Sequence, residues 1–286
     1  MRQKIDNILI AIDFSEPALN ALNTAVAIAE KTGASLFIVH AQDTVLEFIG
    51  ISITNKERRR NNSENILTAM VNDISRKSSV QCMLIEEEGH ASEIILRNAV
   101  KHDCDLIIVG TYGASGYKNG YIGSTTYNVI KFATCPVLVI PPDKAWTSFR
   151  QPLFPIRPLT TAVQHYDFIR NLLEPQSQLR VLCLSSSGEQ KKINDLNELI
   201  AEIQKKLTED KVSADIQWNQ VSSIPQTVLM YADRDNSDLI VITPIIDISS
   251  KQFYVGPNAH TIIYCAKVPT LIINRVNTNV FEKRRS

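Results

Sequence analysis

The chain of 286 residues sets 30 lysines and arginines against 30 aspartates and glutamates, a formal charge of zero. That balance argues against a nucleic-acid binder, which shows a basic excess or stripe, and no run reaches the roughly 20 apolar residues that span a bilayer. The first residues run straight into a strand pattern with no apolar leader. Five scattered cysteines without a Cys-x-x-Cys pair point to buried, reduced thiols in a cytoplasmic protein rather than to zinc or disulfides.

In chain order, Ile8-Leu9-Ile10-Ala11-Ile12 is a continuous apolar run, as expected of a parallel strand covered on both faces. Ser15-Glu16-Pro17 opens a helix with proline in its first turn. Its stripe of Ala18, Leu22, Ala25, Val26 and Ala29 runs to a capping Gly33. A strand follows at 36–40. A polar helix over about 56–77 carries Ile66, Leu67, Met70, Val71 and Ile74 as its apolar stripe. Then come a strand at 80–85, a helix over 91–101, a strand at 106–109 and a last strand at 136–140. This alternation predicts an open, doubly wound parallel sheet with right-handed crossovers and strand order 3-2-1-4-5.

The most informative stretch is Gly110-Thr111-Tyr112-Gly113, nine residues, then Gly123-Ser124-Thr125. It joins the apolar strand 106–109 to a helical pattern marked by Val129, Ile130, Phe132 and Ala133. Glycines let a backbone approach a ligand closely, and the unpaired N–H groups of a first helical turn favour an anion. The spacing is neither the P-loop nor the Gly-x-Gly-x-x-Gly fingerprint, and turns that merely join strand to helix are the bland alternative. Asp13, at the exit of the first strand, lies where ligands bind in open parallel sheets. It either accepts hydrogen bonds from an adenine or ribose, or caps the following helix. Lys118 either meets a terminal phosphate or stays in solvent.

Other polar residues read as structural. His40 lies at a strand end, either structural or close to an adenine, Glu86-Glu87-Glu88 forms an acidic strand exit, and His90 and His102 lack ligand-spaced partners. The basic clusters at 58–60 and 283–285 read as solvated. No Gly-x-Ser-x-Gly elbow or catalytic triad is found, so no catalytic or metal-ligating residue is expected.

The plan recurs after Pro141-Pro142 and an irregular stretch to Pro152. Asp238-Leu239-Ile240-Val241-Ile242 repeats Asp105-Leu106-Ile107-Ile108-Val109, and Ala266 to Ile272 repeats Ala133 to Val139 at the same offset. Such constant register indicates a tandem duplication. In this register Gly110 becomes Thr243, Gly113 becomes Ile246, Ser124 becomes Pro257, and Gly256 alone survives opposite Gly123. Pro257 lacks a backbone donor, and Leu153 to Pro158 is a proline-containing, weak first strand with no matching aspartate. The expected organisation is a first domain over 1–142 with the ligand site, a linker over 143–152, a degenerate domain over 153–276 and a polar tail over 277–286. Because the copy does without Gly110, Gly113 and Ser124, their presence in the first half points to a ligand.

The motif Gly-x2-Gly-x9-Gly-Ser at the end of the fourth strand, with Asp13 and the repeated plan, resembles the universal stress protein family. The resemblance implies two tandem Rossmann-like, adenine nucleotide alpha hydrolase-like domains. It also implies a cytoplasmic stress-response protein that binds ATP or a related adenine nucleotide in its first domain. Asp13 and the backbone of Ala41 then correspond to adenine-side contacts, and Gly110, Gly113, Gly123, Ser124 and Thr125 to ribose and phosphate contacts. ATP with magnesium, ADP and AMP all stay open as ligands. A slow ATPase, an adenylyl-transferring enzyme and a module binding another small ligand stay open as functions. The apolar last strands of the two halves are edges that invite pairing, giving an intrachain pseudo-dimer, with a homodimer beyond it left open.

Overall fold

Residues 4–42, 53–112, 122–156, 162–185, 190–244 and 255–273 are described in the computed structural model of the chain. The first apolar run forms β1 (Asn7–Ala11), whose three central residues are fully buried. Helix α1 (Glu16–Thr32) starts at Ser15, whose hydroxyl accepts from Ala18 N, and ends at Gly33 in the left-handed region (φ 74°). There follow β2 (Ser35–Gln42), α2 (Ile53–Lys77), β3 (Cys82–Glu88), α3 (Ala91–Lys101), β4 (Leu106–Gly110), α4 (Ser124–Phe132) and β5 (Val137–Ile140). The second half supplies β6 (Pro152–Ile156), α5 (Ala162–Ile169), β7 (Gln178–Ser185), α6 (Gln190–Asp210), β8 (Ser213–Gln220), α7 (Ile224–Arg234), β9 (Leu239–Ile242), α8 (Pro257–Cys265) and β10 (Thr270–Ile272).

All ten strands form one sheet in the order β3-β2-β1-β4-β5-β10-β9-β6-β7-β8. The first half has the predicted 3-2-1-4-5 order, and the second half has its mirror along the sheet. Every pairing is parallel except the junction of β5 with β10, where Val139, Leu138 and Val137 face Thr270, Leu271 and Ile272. Leu138 and Leu271 occupy the same position in the repeat register and face each other, so a local two-fold axis passes between them. The last strands of the two halves thus pair within one chain. One apolar layer packs α1, α2, α5 and α6 against one sheet face, and a second packs α3, α4, α7 and α8 against the other.

The repeated aspartates have a structural cause. Asp105 Oδ2 accepts from Asp6 N and Asn7 N (2.8 and 3.0 Å), tying the start of β4 to the entry of β1. Asp238 does the same for Gln151 N at 2.9 Å, beside the entry of β6.

Several expectations change in detail. The proline-containing stretch 152–156 is an internal strand. Pro152 opens it and Pro155 comes after its pairing with β9 has stopped at Leu153, so the sheet accommodates both. The acidic run 86–88 lies inside β3, which starts two residues later than expected. Ile66 on α2 is 40% exposed while Leu67 is fully buried, so the helix turns a narrower stripe to the core. Cys104, Cys135 and Cys183 are buried thiols that form no disulfide, with burial pushing the Cys183 thiol up to about 12. Cys265 is exposed, because it sits at the solvent end of α8 rather than on its core face.

Candidate functional site

The carboxyl ends of β1, β2 and β4 converge on a cleft of about 530 Å³, within the range typical of small-ligand sites. Asp13, Ala41, Gly110, Gly123, Ser124 and Thr125 all line it. Gly113 lies outside the described residues, as do Lys118 and the loop glycines Gly116 and Gly120.

Asp13 is held at the rim by a tight turn. Phe14 takes a left-handed backbone (φ 64°), unusual for a bulky side chain. Asp13 Oδ1 accepts from Ser15 N at 3.0 Å and from Ser15 Oγ at 2.5 Å. The cap of α1 is therefore Ser15, with Asp13 bracing it. His40 is structural: its Nδ1 lies 2.9 Å from Ile12 O, and its ring packs on Phe14 with centroids 4.8 Å apart.

Ala41 contributes its backbone. Along β2, Leu36 N donates to Gln81 O and Gln42 O accepts from Gly89 N, so even-numbered residues bond toward β3. Odd-numbered ones bond toward β1, as Val39 O does in accepting from Ile12 N at 2.8 Å. β1 pairs no further along β2 than Val39, and the alternation of the strand turns the N–H and C=O of Ala41 into the space beyond.

The third wall is the start of α4. Its first intrahelical bond is Tyr127 N to Gly123 O (2.8 Å), so the N–H groups of Ser124, Thr125 and Thr126 precede the ladder. Gly123 offers no side-chain cap. Thr126 Oγ1 donates to Gly110 O at 2.7 Å, fastening the helix start to the end of β4, and Gly123 N donates to Thr111 O at 3.1 Å.

The glycines have packing reasons of their own. A Cβ on Gly110 would stand 3.1 Å from Pro17 Cβ and 3.3 Å from Pro17 C, against the first turn of α1. A Cβ on Gly123 would stand 3.2 Å from Tyr112 Cα. Gly110 therefore has a packing reason beside the ligand reading: the close approach of α1 to β4 leaves little room for a side chain there. In the second half Thr243 fills the corresponding place, its Oγ1 2.9 Å from Nδ1 of His165 on α5.

A fourth wall was not legible as a site in the sequence. Gly89, His90, Ala91 and Ser92, at the start of α3, also line the cleft. Gly89 adopts φ 136°, open to glycine alone, and α3 begins at His90 without a side-chain cap. Two helix starts thus face one cleft. The position of Gly89 just past a strand end was the available signal. Tyr112 adds a phenol held above its usual range by burial, with the Asp143 and Glu16 carboxylates reinforcing it, so it stays a neutral donor at pH 7. Asp13 is the one carboxylate among the described lining residues, and no lysine or arginine is among them. Among the described residues, no three of His, Cys, Asp and Glu cluster as a metal site would require. No helix among them is long and apolar enough to cross a membrane.

The second half repeats the α4 start without its first donor. α8 begins at Gly256 (φ −55°, ψ 154°), as α4 begins at Gly123 (φ −55°, ψ 141°), but Pro257 supplies no N–H at its first position.

A sequence model of the universal stress protein family matches residues 4–141. A universal stress protein of Thermus aquaticus is 31% identical over 135 residues, 46% of this chain and 96% of the relative. Universal stress protein YxiE of Bacillus subtilis is 30% identical over 145 residues, 47% of this chain and 98% of the relative. The crystal structure of a universal stress protein from Archaeoglobus fulgidus covers 95% of this chain and 97% of its own, with a TM-score of 0.74 at 16% identity, a likeness of fold. The family model ends at residue 141, while the likeness of fold covers 95% of the chain, and the chain belongs to the universal stress protein family.

Proposed function

We propose that the cleft of the first half binds an adenine nucleotide and that the protein acts as a nucleotide-responsive stress regulator with one such site per chain. One observation carries this reading: a strand edge with a donor and an acceptor at Ala41 and an uncapped helix start at Ser124 border the same cleft. A neighbouring N–H and C=O match the acceptor N1 and donor N6 of adenine, whereas guanine presents the opposite pattern. Asp13 accepts from a ribose hydroxyl or the adenine amine. The N–H groups at Ser124 and Thr125, with their hydroxyls, meet phosphate oxygens, favoured by the helix dipole. Gly110 and Gly123 let the walls close up, and Gly113 belongs to the same reading as part of the loop between them. ATP, with magnesium, is the leading ligand, with ADP or AMP in the same place. The domain division at 1–142 and 153–276 makes the second half a scaffold, since Pro257 withdraws a donor from the matching helix start.

Titration calorimetry of the full chain with ATP, ADP, AMP and GTP, beside mass spectrometry for a co-purified nucleotide, tests the reading. Saturable binding of an adenine nucleotide near one per chain, with GTP weaker, is expected. Ser124→Pro, a residue the matching position of α8 already tolerates, should weaken binding tenfold or more, since a hydrogen bond to a charged group contributes roughly 1.5–3 kcal/mol. A folded protein that binds none of the four at millimolar concentration would overturn it.

A further inference from the structure

The helix start at Ser124 is held in place by a short clasp of hydrogen bonds. Thr111 follows β4 directly and is buried. Its N–H and its hydroxyl both donate, at 3.0 Å each, to the carbonyl of Ile140, the last residue of β5. Thr111 O in turn accepts from Gly123 N at 3.1 Å, and Thr126 Oγ1 donates to Gly110 O at 2.7 Å. The entry and first turn of α4 are thus fixed at two points to the end of β4, which is itself fixed to β5. Thr126 borders the cleft, yet its one hydroxyl proton is committed to the Gly110 carbonyl.

The second half shows how much of this the fold requires. In the repeat register Thr111 corresponds to Pro244 and Thr126 to Ala259. Pro244 has neither an N–H nor a hydroxyl, and Ala259, buried like Thr126, has only a methyl group. α8 nevertheless starts at Gly256 with nearly the backbone angles that Gly123 has at the start of α4. A helix therefore begins at this point of the repeat without the clasp. The clasp belongs to the half in which Ser124 keeps its N–H. Its donors at both positions are gone from the half in which Pro257 has removed that N–H.

What the clasp adds to a helix start is a fixed aim. The N–H groups of Ser124 and Thr125 precede the helical ladder and are open to a ligand. Hydrogen bonds weaken steeply as a donor tilts away from its acceptor, so two successive N–H groups serve one anion only while α4 keeps its angle and distance to the strand end opposite. A bond from the first turn of α4 to the last residue of β4 sets both.

We propose that Thr126 is a positioning residue for the phosphate end of the cleft, acting through Gly110 O to hold the Ser124 and Thr125 N–H groups on the anion. The role rests on the nucleotide reading of the cleft.

Titration calorimetry of the full chain with ATP, ADP and AMP, on variants whose urea transitions show a folded protein, tests this. Thr126→Val keeps the shape and removes the donor, and should weaken the tightest of the three ligands about fivefold or more. Thr126→Ser restores the donor and should bind within about twofold of the unaltered chain. Thr126→Ala, which carries the side chain found at the matching place of α8, should lose as much as Thr126→Val and replaces it if the valine variant does not fold. Equal affinity in Thr126→Val and the unaltered chain would overturn the positioning role. So would a loss that Thr126→Ser shares in full, since the methyl packing and not the hydroxyl would then set the site. An unaltered chain that binds none of the three overturns the nucleotide reading itself, and this role with it.

Discussion

At the scale of single residues, Gly110 and Ser124 separate two kinds of dependence that a binding assay alone confounds. A Cβ on Gly110 meets Pro17 at 3.1 Å, in backbone-adjacent contact that cannot swing away. Gly110→Ala should therefore destabilise the free protein by about 1–3 kcal/mol, the usual cost of overpacking, measurable in urea without any ligand. Ser124→Pro should leave that midpoint within about 0.5 kcal/mol, since proline suits a first helical position. Ser15→Ala removes the acceptor for Ala18 N and the donor to Asp13, and should cost about 1 kcal/mol as the loss of a helix cap. That Asp13 and the Gly123–Thr125 helix start would line a common cleft was legible in the sequence because each sits at a strand exit or a helix entry, whereas Ala41 came from the family resemblance. The packing role of Gly110 was not legible, because it depends on how close α1 passes, and that distance is fixed by the tertiary fold rather than by residues near Gly110 in the chain.

Among the elements, β3 and α3 show how the unforeseen fourth wall is held. Asn98, fully buried on α3, donates to Glu87 Oε1 at 2.9 Å and to Ile94 O at 3.0 Å, and Arg97 pairs with the other carboxylate oxygen of Glu87. The Asn98 hydrogen bond, with Arg97 assisting, holds the Glu87 carboxyl below the usual carboxylate range. A carboxyl depressed in the folded state adds stability above its unfolded value of about 4.3, and that contribution is lost as pH falls through the folded value. Glu87→Gln should therefore lower the neutral plateau of the melting temperature slightly and leave the values at the acid end, where Glu87 is already protonated, almost unchanged, so that the acid limb flattens, as a thermal-melt series across pH would read. The strands and helices were legible from their periods, including the parallel alternation. The acidic run 86–88 was read as leaving a strand because charge is rare inside parallel sheets. β3 is an edge strand, and there such residues find partners on α2 and α3, as Glu86 does with Ser63 at 3.0 Å.

Over the whole molecule, the junction of β5 with β10 decides whether the halves behave as one body. Leu138 and Leu271 are fully buried at its centre, and each apolar layer draws residues from both halves. Helix α1, which starts at the cleft, reinforces the join. Thr24 Oγ1 accepts from Trp146 N at 2.9 Å, Asn20 donates to Pro142 O at 2.6 Å, and Lys31 donates to Leu172 O and Leu173 O and pairs with Glu174 at 2.7 Å. The apolar edges formed by the last strands pointed to their pairing, but the contacts of Lys31 join residues more than a hundred positions apart and no local pattern announces them. A cavity at the axis should be felt on both sides. Leu271→Ala removes a fully buried side chain and should cost about 2–5 kcal/mol. Because the sheet is continuous, exchange protection should fall together in β2 of the first half and β7 of the second. Protection lost in β7 while β2 keeps its original value would show two units that unfold separately, and the ten-stranded sheet would then be a contact between domains rather than a shared core.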